Sequence, residues 1–192
     1  SEMRIRDRLK QTQDQIVFKT RSGSLIAKRK GELIQLDFPA DVPKPLSMAE
    51  RHRVLAILAQ ACGCAPSHVL LADDVVAVYD DVSLIRDMQP QQEALRQLPG
   101  RGLVVTAADL KGEAQCDFVS RWFGPNVGVP EDPVTGSAHC ALAPYWQQML
   151  GKDQLVARQL SSRGGWLSCV LVDDRGHLSG RAETYLQGTI HC

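Results

Sequence analysis

Residues 138–146 read Ala-His-Cys-Ala-Leu-Ala-Pro-Tyr-Trp, and a helix this apolar on every face has to be enclosed by protein. The rest of the chain must therefore build a wall around it. Pro144 removes one helical hydrogen bond and is expected to bend the helix, and Gly151-Lys152 ends it. The wall reads mostly as strands. Ile16–Thr20, Leu25–Arg29 and Leu33–Phe38 come first, the last alternating Ile34, Leu36 and Phe38 with Gln35 and Asp37. Ser22-Gly23 and Lys30-Gly31 supply the turns. Further strands are predicted near Val69–Leu71, Val75–Tyr79, Leu103–Thr106, Cys116–Phe123, Leu155–Leu160, Trp166–Val172 and His177–Leu186, with helical pieces among them. Turns fall at 163–165 and 173–176. Ser47-Met48-Ala49-Glu50 fits a capping box, and Val54, Ile57, Leu58 and Ala61 give the helix that follows its apolar face. Trp122 and Phe123, just before Gly124-Pro125, read as core aromatics ending a strand. The class is α+β, a sheet curled about a buried helix.

Composition narrows the function. At 192 residues and 44% hydrophobic, the chain can bury a sizeable core as one large domain or two small ones. Lys+Arg and Asp+Glu are both 22, and without a basic stripe a nucleic-acid partner is not expected. No apolar run approaches the roughly 20 residues that a bilayer span needs. Ser1-Glu2-Met3-Arg4-Ile5-Arg6 lacks a signal-peptide core, so the expectation is a cytoplasmic protein with no membrane partner. The cysteines, Cys62, Cys64, Cys116, Cys140, Cys169 and Cys192, form no compact framework and are expected to be reduced and buried. Cys62-Gly63-Cys64 lacks zinc-site spacing, so no metal is expected. Pro39, Pro43 and Pro45 mark a boundary, and Ile5 and Leu9 within the charged residues 4–10 suggest the last turns of a helix without a beginning.

The chemistry concentrates in Glu131-Asp132-Pro133-Val134-Thr135-Gly136-Ser137-Ala138-His139-Cys140. Pro133 pushes Asp132 out of the right-handed helical region, so its carboxylate stands ahead of the helix rather than on it. Thr135 or Ser137 is then the natural N-cap. Gly136 has no side chain to keep a ligand from the backbone, and the first-turn N–H groups and helix dipole suit an anion such as a substrate carboxylate. Asp132 beside it could pass a proton, although moving a proton between two carbons usually takes a second group. His139 and Cys140 lie inside the apolar helix and read as core residues rather than as a base or nucleophile. Arg163, before Gly164-Gly165, is a candidate for reaching a substrate carboxylate, with a surface turn arginine as the other reading.

The stretch from Gly128 to Cys140, together with Phe118-Val119-Ser120-Arg121-Trp122-Phe123-Gly124-Pro125 before it and Ser162-Arg163-Gly164-Gly165 after it, resembles the PhzF-like family of phenazine-biosynthesis isomerases. The resemblance runs from about Gln15 to the C-terminus. It implies the diaminopimelate-epimerase-like fold, in which two similar halves each wrap a mostly antiparallel sheet round a central helix with the active site between them. It also implies a cofactor-independent isomerase or epimerase acting on a small carboxylic acid by general acid–base proton transfer. By the same resemblance Asp132 and Ser137 are the catalytic candidates, and Gly136 serves as a backbone donor. Thr135 and Arg163 join Gly136 as candidate substrate contacts.

The chain departs from the family in one respect. The family's Gly-Asn-Pro, Asn-x-Ser-Glu and Cys-Gly-His segments, the second of which carries its catalytic glutamate, have no match here. The expectation is a remnant of the first half over 1–40 and a complete second half over 45–192. Such a chain is expected to be inactive or weak, and the alternative is a non-catalytic small-carboxylate-binding or interaction protein. Residues 1–39 would also leave an apolar face and unpaired edges, which predicts a homodimer.

Overall fold

The computed structural model describes residues 15–20, 23–183, 186, 188 and 189. The helix expected over 4–10, Ser22 of the first turn, Thr184, Tyr185 and Cys192 lie outside them. The strands are β1 (Gln15–Thr20), β2 (Gly23–Lys30), β3 (Leu33–Pro39), β4 (Lys44–Pro45), β5 (His68–Leu71), β6 (Val75–Tyr79), β7 (Leu103–Ala108), β8 (Phe118–Phe123), β9 (Gln154–Gln159), β10 (Gly165–Val172) and β11 (Arg175–Arg181). They form one sheet in the order β1-β2-β3-β11-β10-β9-β8-β7-β6-β5-β4. The helices are α1 (Met48–Cys62), α2 (Val82–Asp87), α3 (Gln92–Leu95) and α4 (Gly136–Leu150).

Two neighbouring pairs run parallel, β6 with β7 and β8 with β9, and the others are antiparallel. Both parallel pairs are joined through helices, α2 and α3 in one and α4 in the other, as a parallel crossover requires, while α1 lies in the connection of the antiparallel pair β4 and β5. The last strand is shorter than its apolar pattern suggested, ending at Arg181, because its ladder partner β3 begins at Leu33.

The middle strands are buried on both faces, and their alternation divides two cores. Val75, Ala77 and Tyr79 of β6, with Leu103, Val105 and Ala107 of β7, pack with Val54, Leu58 and Ile85 of the α1–α3 layer. Val76, Val78 and Val104 point the other way, toward Leu142 and Trp146 of α4. Trp122 and Phe123, adjacent in β8, are core aromatics on opposite faces.

α1 begins with a complete capping box. The Glu50 N–H donates to Ser47 Oγ at 3.3 Å, and the Ser47 N–H donates to Glu50 Oε2 at 3.1 Å. Val54, Ile57, Leu58 and Ala61 are buried, as their spacing requires. α4 is enclosed, with Ala138 through Pro144 and Trp146 all buried. It runs through Pro144 to Leu150 as one element. Pro144 has no N–H for the Cys140 carbonyl four residues back, and the Asp41 N–H of the β3–β4 connector takes that carbonyl instead, at 3.1 Å. Among the described residues no helix is long and apolar enough to cross a membrane.

Candidate functional site

The turn between β8 and α4 is held at both ends of Asp132. Its N–H donates to the Trp122 carbonyl at 3.1 Å, and its own carbonyl accepts from Gln159 Nε2 at 2.7 Å. The half-buried carboxylate accepts the Thr135 hydroxyl on Oδ2 at 2.6 Å. Thr135 does occupy the N-cap position of α4, but it makes no side-chain cap hydrogen bond, and Ser137 is inside the helix. Of the two expected candidates Thr135 is the cap by position, but not by side-chain bonding. The Thr135 hydroxyl spends its one hydrogen on Asp132 and accepts from Gln159 Nε2 at 3.2 Å, leaving it poorly placed for the helix amides.

The consequence is an unsealed helix start. His139 N–H reaches back to the Thr135 carbonyl at 3.4 Å, but Gly136, Ser137 and Ala138 precede the first intrahelical bond and no side chain caps them. Gly136 and Ser137 are partly exposed, and a helix start of this kind favours an anion through its free N–H groups and dipole. A Cβ built at Gly136 would meet only Phe38 Cε2, at 3.8 Å, which is ordinary contact. Packing therefore does not demand glycine there. Its bareness leaves the backbone there open to close approach.

Two buried side chains that sequence reasoning missed hold this turn in shape. Gln159, fully buried on β9, accepts the Thr135 N–H at 2.8 Å and so spans the whole Asp132–Thr135 turn. It lies in phase with the inward Leu155 and Ala157, and a polar residue in that phase was the available signal. Ser120 pairs with His139 Nε2 at 3.3 Å, while His139 Nδ1 lies 2.8 Å from the Thr135 carbonyl. Complete burial pulls His139 down to about 4, so the ring is neutral at pH 7. The network then assigns its proton to Nδ1, donating to Thr135, with Nε2 accepting from Ser120. His139 is a strut. Cys140 is buried too, and burial pushes its thiol up to about 12, as befits a core residue.

Glu131 and Asp132 are consecutive carboxylates with opposite uses. Arg121 grips Glu131 with Nε at 2.7 Å and Nη2 at 3.1 Å. Its Nη1 donates to the carbonyls of Ile85, Arg86 and Met88 at the end of α2, at 3.1, 3.2 and 2.6 Å. That ion pair fastens the loop to the α1–α3 layer and leaves Asp132 as the carboxylate beside the open helix start.

Ser137 Oγ accepts from Arg101 Nη2 at 3.2 Å, a contact nothing in the local sequence announced. Arg163 is not drawn in. It is exposed in the β9–β10 turn and makes no hydrogen bond or ion pair among the described residues. The turn itself is tied to the site, since Ser161 Oγ donates to the Pro133 carbonyl at 2.7 Å and accepts the Gly164 N–H at 3.0 Å. A Cβ at Gly165 would lie 2.4 Å from Val134 Cγ2, so that glycine lets β10 press against the motif. The structure thus brings Asp132, Thr135, Gly136 and Ser137 together and leaves Arg163 at the surface.

The family described as phenazine biosynthesis-like protein, PhzC-PhzF, matches residues 2–188. The chain belongs to the PhzF-like family. It is 47% identical to an uncharacterized isomerase of Pseudomonas aeruginosa, over 91% of this chain and 63% of that protein. A human phenazine biosynthesis-like domain-containing protein is 36% identical, over 95% of this chain and 67% of the relative. Among solved structures, a PhzF family protein of Enterococcus faecalis superposes with a TM-score of 0.83 at 32% identity, covering 97% of this chain and 68% of the other. The PhzF fold, with its mostly antiparallel sheet, is therefore the fold of this chain, as the resemblance implied. The chain spans 63% and 64% of the length of the two Pseudomonas isomerases it matches.

Proposed function

We propose that this PhzF-like chain carries one side of a cofactor-independent isomerase site for a small carboxylic acid. Asp132 exchanges the proton, and the Gly136 and Ser137 amides with the Ser137 hydroxyl hold the carboxylate. The observation that carries this reading is the uncapped start of α4, bare at Gly136, with the Asp132 carboxylate held beside it by Thr135. Each dipole contact of this kind contributes about 0.3–1 kcal/mol, which orients a small acid without gripping it. In the reaction a carboxylate takes a proton from one carbon, the electron pair shifts along the substrate, and an acid returns a proton to another carbon.

That sequence of steps works best with two acid–base groups. Among the described residues, the titratable side chains bonded into the Asp132–Ser137 turn are Arg101 and the neutral His139, and neither suits the second role. We therefore expect weak or no turnover by these 192 residues alone, with the second group supplied by sequence the family carries outside the matched region. Melting temperature measured against a panel of ring carboxylates tests the site. The expected result is a rise for the ring acids that is lost in Ser137→Pro, which removes an N–H at the helix start. No shift with any acid would overturn the reading.

Self-association belongs to the same proposal, with a second copy as the occupant. Among the described residues β1 is the outermost strand of the sheet, with Val17 and Phe18 38% and 41% exposed, and an antiparallel β1–β1 pairing would continue the sheet across that edge. Light scattering at tens of micromolar should show a dimer; a stable monomer would refute it.

A further inference from the structure

Among the described residues Arg101 is the one cation bonded to the proposed ligand-holding residues, and the fold goes to some trouble to put it there. It stands between two glycines that must be glycines. A Cβ at Gly100, where φ is +79°, would lie 2.4 Å from the Asp73 carbonyl oxygen, and one at Gly102 would lie 1.9 Å from that of Phe123. Those close approaches wedge the segment between the start of β6 and the end of β8, and the guanidinium comes to the start of α4.

Its geometry there is fixed by a buried carboxylate. Asp74, 3% exposed, accepts Arg101 Nε on Oδ1 at 3.1 Å and Nη2 on Oδ2 at 2.6 Å. Trp122 Nε1 donates to the same Oδ2 at 2.8 Å, and its ring lies 5.7 Å from the guanidinium carbon. A Cβ at Gly124 would overlap the Trp122 ring at 2.0 Å, so a third glycine serves the arrangement. The remaining hydrogen of Nη2 goes to Ser137 Oγ at 3.2 Å.

Hydrogen-bond direction now settles what Ser137 can do. Arginine only donates, so Ser137 Oγ accepts, and the single hydroxyl hydrogen is left to donate elsewhere. A bound carboxylate needs donors. We propose that Arg101 is a positioning residue that turns the Ser137 hydroxyl into a donor aimed at the ligand carboxylate, with Asp74 and Trp122 holding Arg101 in place. This rests on the carboxylate-site reading above and adds to it a residue outside the motif.

The test is a double-mutant cycle on benzoate affinity, measured by calorimetry on the 192-residue protein. Ser137→Ala and Arg101→Ala should each weaken binding about tenfold, since a charge-assisted hydrogen bond is at stake in both. Arg101→Ala introduced into Ser137→Ala should weaken it less than about twofold further. Arg101→Lys, which keeps the charge but loses the fork on Asp74, should fall between wild type and Arg101→Ala. If Arg101→Ala does not fold, Arg101→Lys in both backgrounds completes the cycle. Unchanged affinity in the arginine variants would overturn the proposal, and so would an equal loss in the Ser137→Ala background, which would mark a direct contact to benzoate. Wild-type protein that binds no benzoate would sink the site reading itself, an outcome distinct from both.

Discussion

α1 and α4 are both 15 residues long and both stop at a left-handed glycine, Gly63 at φ 71° and Gly151 at φ 64°, yet they begin in opposite ways. α1 closes its own start with the reciprocal Ser47–Glu50 box, out in solvent. α4 starts beside buried polar groups, and the hydroxyl best placed to cap it is turned away to Asp132. A sealed helix start is structural and finished. An unsealed one with a carboxylate held next to it is what the proposed site needs, and Gln159, His139 and Ser120 hold the turn in that shape.

The sharpest break in this comparison is at Asp132. Any exchange of solvent deuterium into a bound ring acid should fall by about 10²–10⁴-fold in Asp132→Asn, followed by NMR. Exchange at the unaltered rate would remove Asp132 from the chemistry and make α4 merely an open anion site.

His139 gives the next largest effect, on stability. The unfolded chain takes up the proton near the ordinary value of 6.5 and the folded chain only near 4. Between those values unfolding binds a proton, so stability falls as the pH drops through that window and is constant above it. The loss approaches about 3 kcal/mol at the bottom of the window. Carboxylates titrate nearby, so the quantity to measure is the difference in urea-derived stability between wild type and His139→Gln across pH 4 to 6.5. A pH-independent difference would mean that the ring is not buried neutral beneath Thr135.

The smallest effect separates the two helix starts directly. Ser47→Ala should cost about 1 kcal/mol of stability and leave carboxylate binding alone. Ser137→Ala should do the reverse, changing the melting temperature little because it caps nothing. Equal stability losses at the two serines would erase the contrast.

The same contrast explains what the sequence made legible. α1 could be read in full because everything that forms it is local: a box three residues wide and an apolar spacing in Val54, Ile57, Leu58 and Ala61. The α4 motif could be located, and its family resemblance recognised, because Asp132 through Ser137 are contiguous. Its hydrogen bonding could not be read the same way. Thr135 looked like a side-chain cap, but its hydroxyl is bonded instead to Asp132 and to Gln159, 24 residues on. Arg101 reaches Ser137 from 36 residues away through glycine-tight packing that no periodicity encodes. Arg163 makes no bond to the motif, and this too could not be read from the sequence. Its neighbours Ser161 and Gly165 are the parts of that turn that meet the motif, and sequence proximity alone does not say which side chain points inward.

Pro144 has a consequence beyond the helix it interrupts. Because the Asp41 N–H fills the place of the missing helical donor at the Cys140 carbonyl, a connector residue between β3 and β4 is bonded into the middle of α4. In hydrogen–deuterium exchange the Asp41 amide should therefore behave as a member of α4's cooperative unit, opening on the slow timescale of the core rather than with its loop neighbours. One loop amide thus becomes a reporter for the opening of the buried helix, readable without altering a residue.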